Sequence, residues 1–146
     1  MSTHAPGSQA LYQQLLTCLR GDWHSLAVVP AAPQLSAAIV ANALVDVSNL
    51  VRGQQARLFS TEGLEMAGVA KVIVEVTHHV DAGGLAVVTV DSVVGKQTGI
   101  PLALATDAAL LVVHLGVTRI DDAKRTVELI GEKKFIGAVT IESASA

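Results

Sequence analysis

The chain has little cysteine, little aromatic character and no excess of basic charge, and each shortage excludes something. Cys18 is the only cysteine of 146 residues, so no intramolecular disulfide can form. The opening residues MSTHAPGSQ lack the basic-then-apolar layout of a secretory signal, and a reducing, cytoplasmic setting is expected. Ten Lys and Arg stand against thirteen Asp and Glu, a formal charge of −3, which leaves no electrostatic footprint for a nucleic-acid partner. No apolar run is long enough to span a bilayer, because the longest, Gly99 to Val117, is interrupted by Pro101, Asp107 and His114.

What is present is aliphatic. Hydrophobic residues make up 51% of the chain and aromatics only 3%, so the core must be built from Ala, Val, Leu and Ile, the usual filling of parallel strands covered by helices. The length corresponds to one domain with a core of its own.

Residues 1–8 are small and polar with Pro and Gly, and read as a disordered end. Residues 9–20 place Leu11, Leu15, Leu16 and Leu19 on one face of an amino-terminal helix, with Tyr12 beside them. A single α/β domain is expected over 21–142. SLAVVP reads as a buried strand, Ser36 to Val51 as an alanine-rich helix ended by Gly53, and ARLFST as a second strand. Leu64 to Val80 reads as a helix, GLAVVTVDS as a strand and Pro101 to Thr106 as a short helix. AALLVVHLG, Ile120 to Ile130 and FIGAVTIE complete the series as strand, helix and strand, before a frayed end at 143–146.

Alternating strands and helices call for a mostly parallel five-stranded sheet with right-handed crossovers and helices on both faces. Ligands on such sheets sit at the carboxyl ends of the strands. That directs attention to Pro30 to Ser36, Thr61 to Gly63, Asp91 to Gly99 and Gly116 to Arg119.

The third of these, DSVVGKQTGIP, pairs Gly95 with Lys96 and has Thr98 two places on. A phosphate-binding loop requires Gly-x-x-x-x-Gly-Lys-Ser/Thr, yet the residue five before Gly95 is Val90 and Gln97 follows the lysine. The stretch reads as a polar, solvated turn into a helix.

From Asp91 onward the order of signals resembles the second half of MinD/ParA-like P-loop ATPases, most closely the cytoplasmic domain of bacterial tyrosine kinases of exopolysaccharide export. Asp91, Asp107, Thr118, Arg119 and Gly137 fall at matching places, and the likeness extends over roughly residues 25 to 142. It implies a P-loop NTPase-like fold. The catalytic loop of that family is not conserved in kind here: Ala32, Pro33, Gln34, Leu35, Ser36, Ala37 and Ala38 stand where it would run. Pro33 and Leu35 replace glycines, Ser36 the lysine and Ala37 the magnesium-binding hydroxyl, so Pro33, Leu35, Ser36, Ala37 and Asp91 mark a degenerate nucleotide site. The second strand ends in Ser60-Thr61-Glu62 where the family has Asp-x-Asp. The carboxyl-terminal tyrosine cluster of the kinases is missing too, since Tyr12 is the only tyrosine.

The resemblance thus implies a catalytically inactive ATPase-like chain, with no catalytic residue, metal or cofactor, that works as a scaffold or regulator. A protein partner, either itself in a homo-oligomer or a membrane-associated glycan synthase or exporter, is expected, and Leu11, Tyr12, Leu15, Leu16 and Leu19 are the candidate interface. The same leucines could instead cover the core. A second expectation is a nucleotide or small-anion binder without hydrolysis, using helix starts at Ser36, Thr118 and Arg119; a third is an ATPase or kinase with an unconventional site. Asp91 could orient a metal-bound water or cap a turn. His78 and His79 are helical neighbours that diverge by roughly 100° and read as a solvated helix end.

Overall fold

The computed structural model describes residues 6–19, 21–33, 35–53 and 55–142, with residues 6–10 and Cys18 as backbone only. Its elements are α1 (Pro6–Cys18), β1 (Ser25–Pro30), α2 (Ala38–Val51), β2 (Ala56–Ser60), α3 (Val69–Asp81), β3 (Leu85–Thr89), α4 (Gly99–Ala105), β4 (Ala108–Leu115), α5 (Ile120–Ile130) and β5 (Phe135–Glu142). Short 3-10 turns precede α3 at Met66–Gly68 and β5 at Glu132–Lys134. The expected loose ends at 1–5 and 143–146 lie outside the described residues. Residues 6–8 belong to α1 rather than to a disordered end; proline is accommodated in a first helical turn, where its missing N–H has no acceptor to lose.

All five strands are parallel, in the order β2-β3-β1-β4-β5. The chain leaves β1 outward past β3 and every later crossover runs the opposite way. Right-handed connections therefore put α2 on one face and α3, α4 and α5 on the other. The two cores confirm this. Leu26, Val28, Val87, Leu110 and Val112 pack under α1 and α2, whereas Ala27, Val29, Val88 and Ala109 pack under α3, α4 and α5. β1 and β3 are buried along their whole length, which is why they read as unbroken aliphatic runs.

The leucine stripe of α1 covers this core. Leu11, Leu15 and Leu19 are 8%, 0% and 7% exposed, and Tyr12 is half-buried against the same cluster. Only Leu16 of the five points outward, at 45% exposure. The interface reading of the stripe is corrected for the three buried leucines: an amphipathic helix laid over one sheet face lowers its free energy by hiding its apolar side there.

Both sheet edges carry a side-chain amide that mimics a neighbouring strand. Gln14 of α1 accepts the Thr140 N–H at 3.0 Å and donates to the Thr140 carbonyl at 3.3 Å on β5. Asn49 of α2 accepts the Ala56 N–H at 2.8 Å on β2. A register shift opposite Ala109 and Leu110 leaves Ile136 as an extra residue in β5, a bulge that bends this edge.

The histidines of α3 part company as helical geometry requires. His78 is exposed, but His79 is half-buried: its ring meets Phe59 edge-on at 5.8 Å and its Nε2 lies 3.2 Å from the Gln55 carbonyl. The solvated reading is thus corrected for His79, which packs between β2 and Gly84.

Candidate functional site

Because α2 leaves β1 on one face while the helices after β3 and β4 leave on the other, the strand order reverses at the carboxyl end of β1. This is where an open α/β sheet forms its ligand crevice. The loops that meet there follow β1, β2 and β3.

The β1–α2 turn is small, apolar and internally bonded. Ala31, Ala32 and Ala37 are buried and Leu35 packs half-buried against the α1/α2 core. Three of its donors are used within the protein: Ala31 N–H bonds the Val112 carbonyl at 2.9 Å, Leu35 N–H the Ala32 carbonyl at 3.1 Å, and Ala38 N–H the Ser36 hydroxyl at 3.1 Å. Pro33 is exposed and has no N–H to offer. A phosphate cradle needs several unpaired N–H groups aimed at one point, and those of Ala31, Leu35 and Ala38 are engaged inside the protein.

Ser36 marks the start of α2. Its hydroxyl donates to the Glu62 carboxylate at 2.9 Å while accepting from Ala38 N–H. A negative side chain is thereby already held at the helix end whose partial positive charge would attract an anion. Its repulsion works against a second anion there.

Asp91, just past β3, accepts the Gly63 N–H at 2.8 Å and lies 3.7 Å from the Lys96 ammonium. Lys96 therefore differs from the fully solvated residue expected: its side chain is 38% exposed and folds back on Asp91. The rest of the stretch is a turn into α4. Gly99 has to be glycine for steric reasons, since a Cβ there would stand 2.9 Å from the Asp91 carbonyl oxygen and 3.0 Å from Val93. Gly95 backs onto Pro33, to which a Cβ would come within 3.5 Å, so the β3–α4 turn leans over the β1–α2 turn. Below them Thr61 hydrogen-bonds the Thr89 carbonyl through both its N–H and its hydroxyl, tying β2 to β3 at their ends.

The structure brings Ser36, Glu62, Gly63, Asp91 and Lys96 to one end of the sheet, in three contacts: Ser36 with Glu62, Gly63 with Asp91 and Lys96 with Asp91. It does not bring Thr118 and Arg119 into them. Thr118 closes its own turn, its hydroxyl accepting the His114 N–H and its N–H reaching the His114 carbonyl, both at 2.8 Å. Arg119 is exposed in extended backbone ahead of α5. Glu62 and Gly63 gained no role from the sequence, although the strand-end rule had singled out their loop. Only the chain crossing β1 shows that this loop faces Ser36 and Asp91.

Open grooves lie elsewhere: between α1 and β5 at Gln14, Thr17 and Gly137, along α3 at Val74 and His78, and beside Arg57, Glu75 and His79. Among the described residues no group of three or more His, Cys, Asp or Glu is placed to hold a metal, and no helix is long and apolar enough to cross a membrane. No protein-family model matches the chain, and no curated protein matches it.

Proposed function

We propose that this protein is an ATPase-like chain without catalysis that acts by contact with other chains, as a scaffold or regulator. The observation that carries this reading is the state of the crevice. The loops after β1, β2 and β3 bond one another there, Ser36 to Glu62 and Asp91 to Gly63, across the ground a nucleotide phosphate would need. Phosphoryl transfer depends on positioned donors, a cationic side chain on the β- and γ-phosphates and a held magnesium ion. Ala32 to Ala38 supplies none of these side chains, and Lys96 is engaged with Asp91. The setting in bacterial exopolysaccharide synthesis or export, with a glycan synthase or exporter as partner, rests on the resemblance of the segment from Asp91 onward.

The experiment is steady-state phosphate release by the purified protein with magnesium and ATP. Release at the rate of the protein-free control is expected. Turnover that follows the protein through purification and is lost in Asp91→Ala would make it an enzyme with an unconventional site.

A further inference from the structure

The two edges of the sheet differ in what they offer another strand. At β5, Gln14 occupies the outward backbone of Thr140 and the bulge at Ile136 bends the strand away. At β2 the hydrogen bonds Leu85 N–H to Gln55 and Thr61 N–H to Thr89 fix the alternation, so Gln55, Arg57 and Phe59 turn their backbone to β3. Ala56, Leu58 and Ser60 turn theirs to the free edge. Asn49 takes the Ala56 N–H, and the N–H and C=O groups of Leu58 and Ser60 have no partner among the described residues.

The strand Ala-Arg-Leu-Phe-Ser is complementary to itself when reversed. Laid antiparallel about a two-fold axis through Leu58, it sets leucine against leucine, Arg57 against phenylalanine and Ala56 against serine. The central pair exchanges two backbone hydrogen bonds, and no like charges meet. A parallel copy in register would instead oppose Arg57 to its own equivalent. Arg57 already sits over the Phe59 ring of its own strand at 4.5 Å, and the reversed copy repeats this cation–π chemistry across the axis. α2 packs against β2, its Asn49 reaches the edge at the Ala56 N–H, and the next two residues, Leu50 and Val51, are exposed at 84% and 56%.

We infer that β2 is a self-association edge, through which two copies of this chain pair antiparallel about Leu58 into one continuous sheet. The antiparallel arrangement closes on itself as a two-fold dimer, which β5 with its capped and bulged edge is not shaped to do. The assignment goes beyond the proposed function and stands apart from whatever happens at the carboxyl end of β1.

Light scattering over a concentration series, on the wild type and on Ser60→Pro, tests it. The proline removes an N–H that the monomer leaves unbonded, so the fold is spared while the edge is blocked. The wild type is expected to reach the dimer mass, and Ser60→Pro to stay at the monomer mass with an unchanged circular dichroism spectrum. In a Cys18→Ser background, Leu58→Cys oxidised with diamide is expected to give a disulfide-linked dimer, because facing residues in a hydrogen-bonded antiparallel pair have Cα atoms about 5.5 Å apart. A wild type that is monomeric throughout overturns the inference, and so does a dimer that fails to cross-link at position 58. A folded Ser60→Pro that still reaches the dimer mass overturns it as well; where Ser60→Pro does not fold, the cross-link at position 58 in a dimeric protein decides.

Discussion

The carboxylate of Asp91 accepts the backbone N–H of Gly63 at 2.8 Å and lies 3.7 Å from the Lys96 ammonium. It joins the ends of β3 and β2. Both contacts are partly open to water, so Asp91→Ala should lower unfolding stability by only about 1 kcal/mol in urea titrations. Asp91→Asn, which retains an acceptor for Gly63, should recover most of the loss. Lys96→Ala, which removes only a half-exposed ion pair, should stay within about 0.5 kcal/mol of the wild type. A loss of several kcal/mol in Lys96→Ala would mean that this end of the sheet depends on the ion pair.

Two neighbouring leucines of α1 should behave in opposite ways. Leu15 is 0% exposed and Leu16 45% exposed. Truncating a buried leucine costs about 2–5 kcal/mol, so Leu15→Ala should melt far earlier, whereas Leu16→Ala should stay within about 0.5 kcal/mol of the wild type. Equal, small effects would return the stripe to the role of an exposed surface.

The amide of Gln14 serves both backbone groups of Thr140, and Gln14→Leu removes both bonds while keeping the bulk of the side chain. Each such hydrogen bond contributes about 0.5–1.5 kcal/mol, so a loss of about 1–3 kcal/mol is expected in denaturant melts. Hydrogen exchange at the Thr140 amide should accelerate in the same variant. Exchange as slow as in the wild type would show that Gln14 does not cover this edge.

Val112 is fully buried in β4, between β1 and β5. Val112→Asp would place a carboxylate where no cation can reach it, and insoluble or unfolded protein is expected. A soluble variant with an ordinary melting temperature would contradict the placement of β4.

The sequence revealed these strands because burial on both faces leaves an uninterrupted aliphatic run, as in SLAVVP and AALLVVHLG. Ile120–Ile130 is bounded in the structure as its pattern suggests, by a change of character at each end. Leu64 to Gly68 was less legible. The apolar pattern runs on into α3, but these residues form a turn and a 3-10 segment, and the helix begins at Val69. Strand order lay beyond periodicity altogether, since a crossover of given length fits more than one position in the sheet. For the same reason neither the bond from Ser36 to Glu62 nor that from Gln14 to Thr140 could be anticipated. The second joins residues 126 apart in the chain, and nothing local to either glutamine or threonine encodes it.

The central claim is that the crevice at the end of β1 is filled by the protein's own contacts. It is tested most directly by thermal melts of the intact protein across a titration of ATP with magnesium, with GTP and a cyclic dinucleotide alongside. A ligand that binds only the folded state raises the melting temperature in proportion to the logarithm of its concentration over its affinity. The account predicts no shift with any of the three. A rise that grows with concentration and disappears in Glu62→Ala or Asp91→Ala would contradict it and make this end of the sheet a nucleotide site.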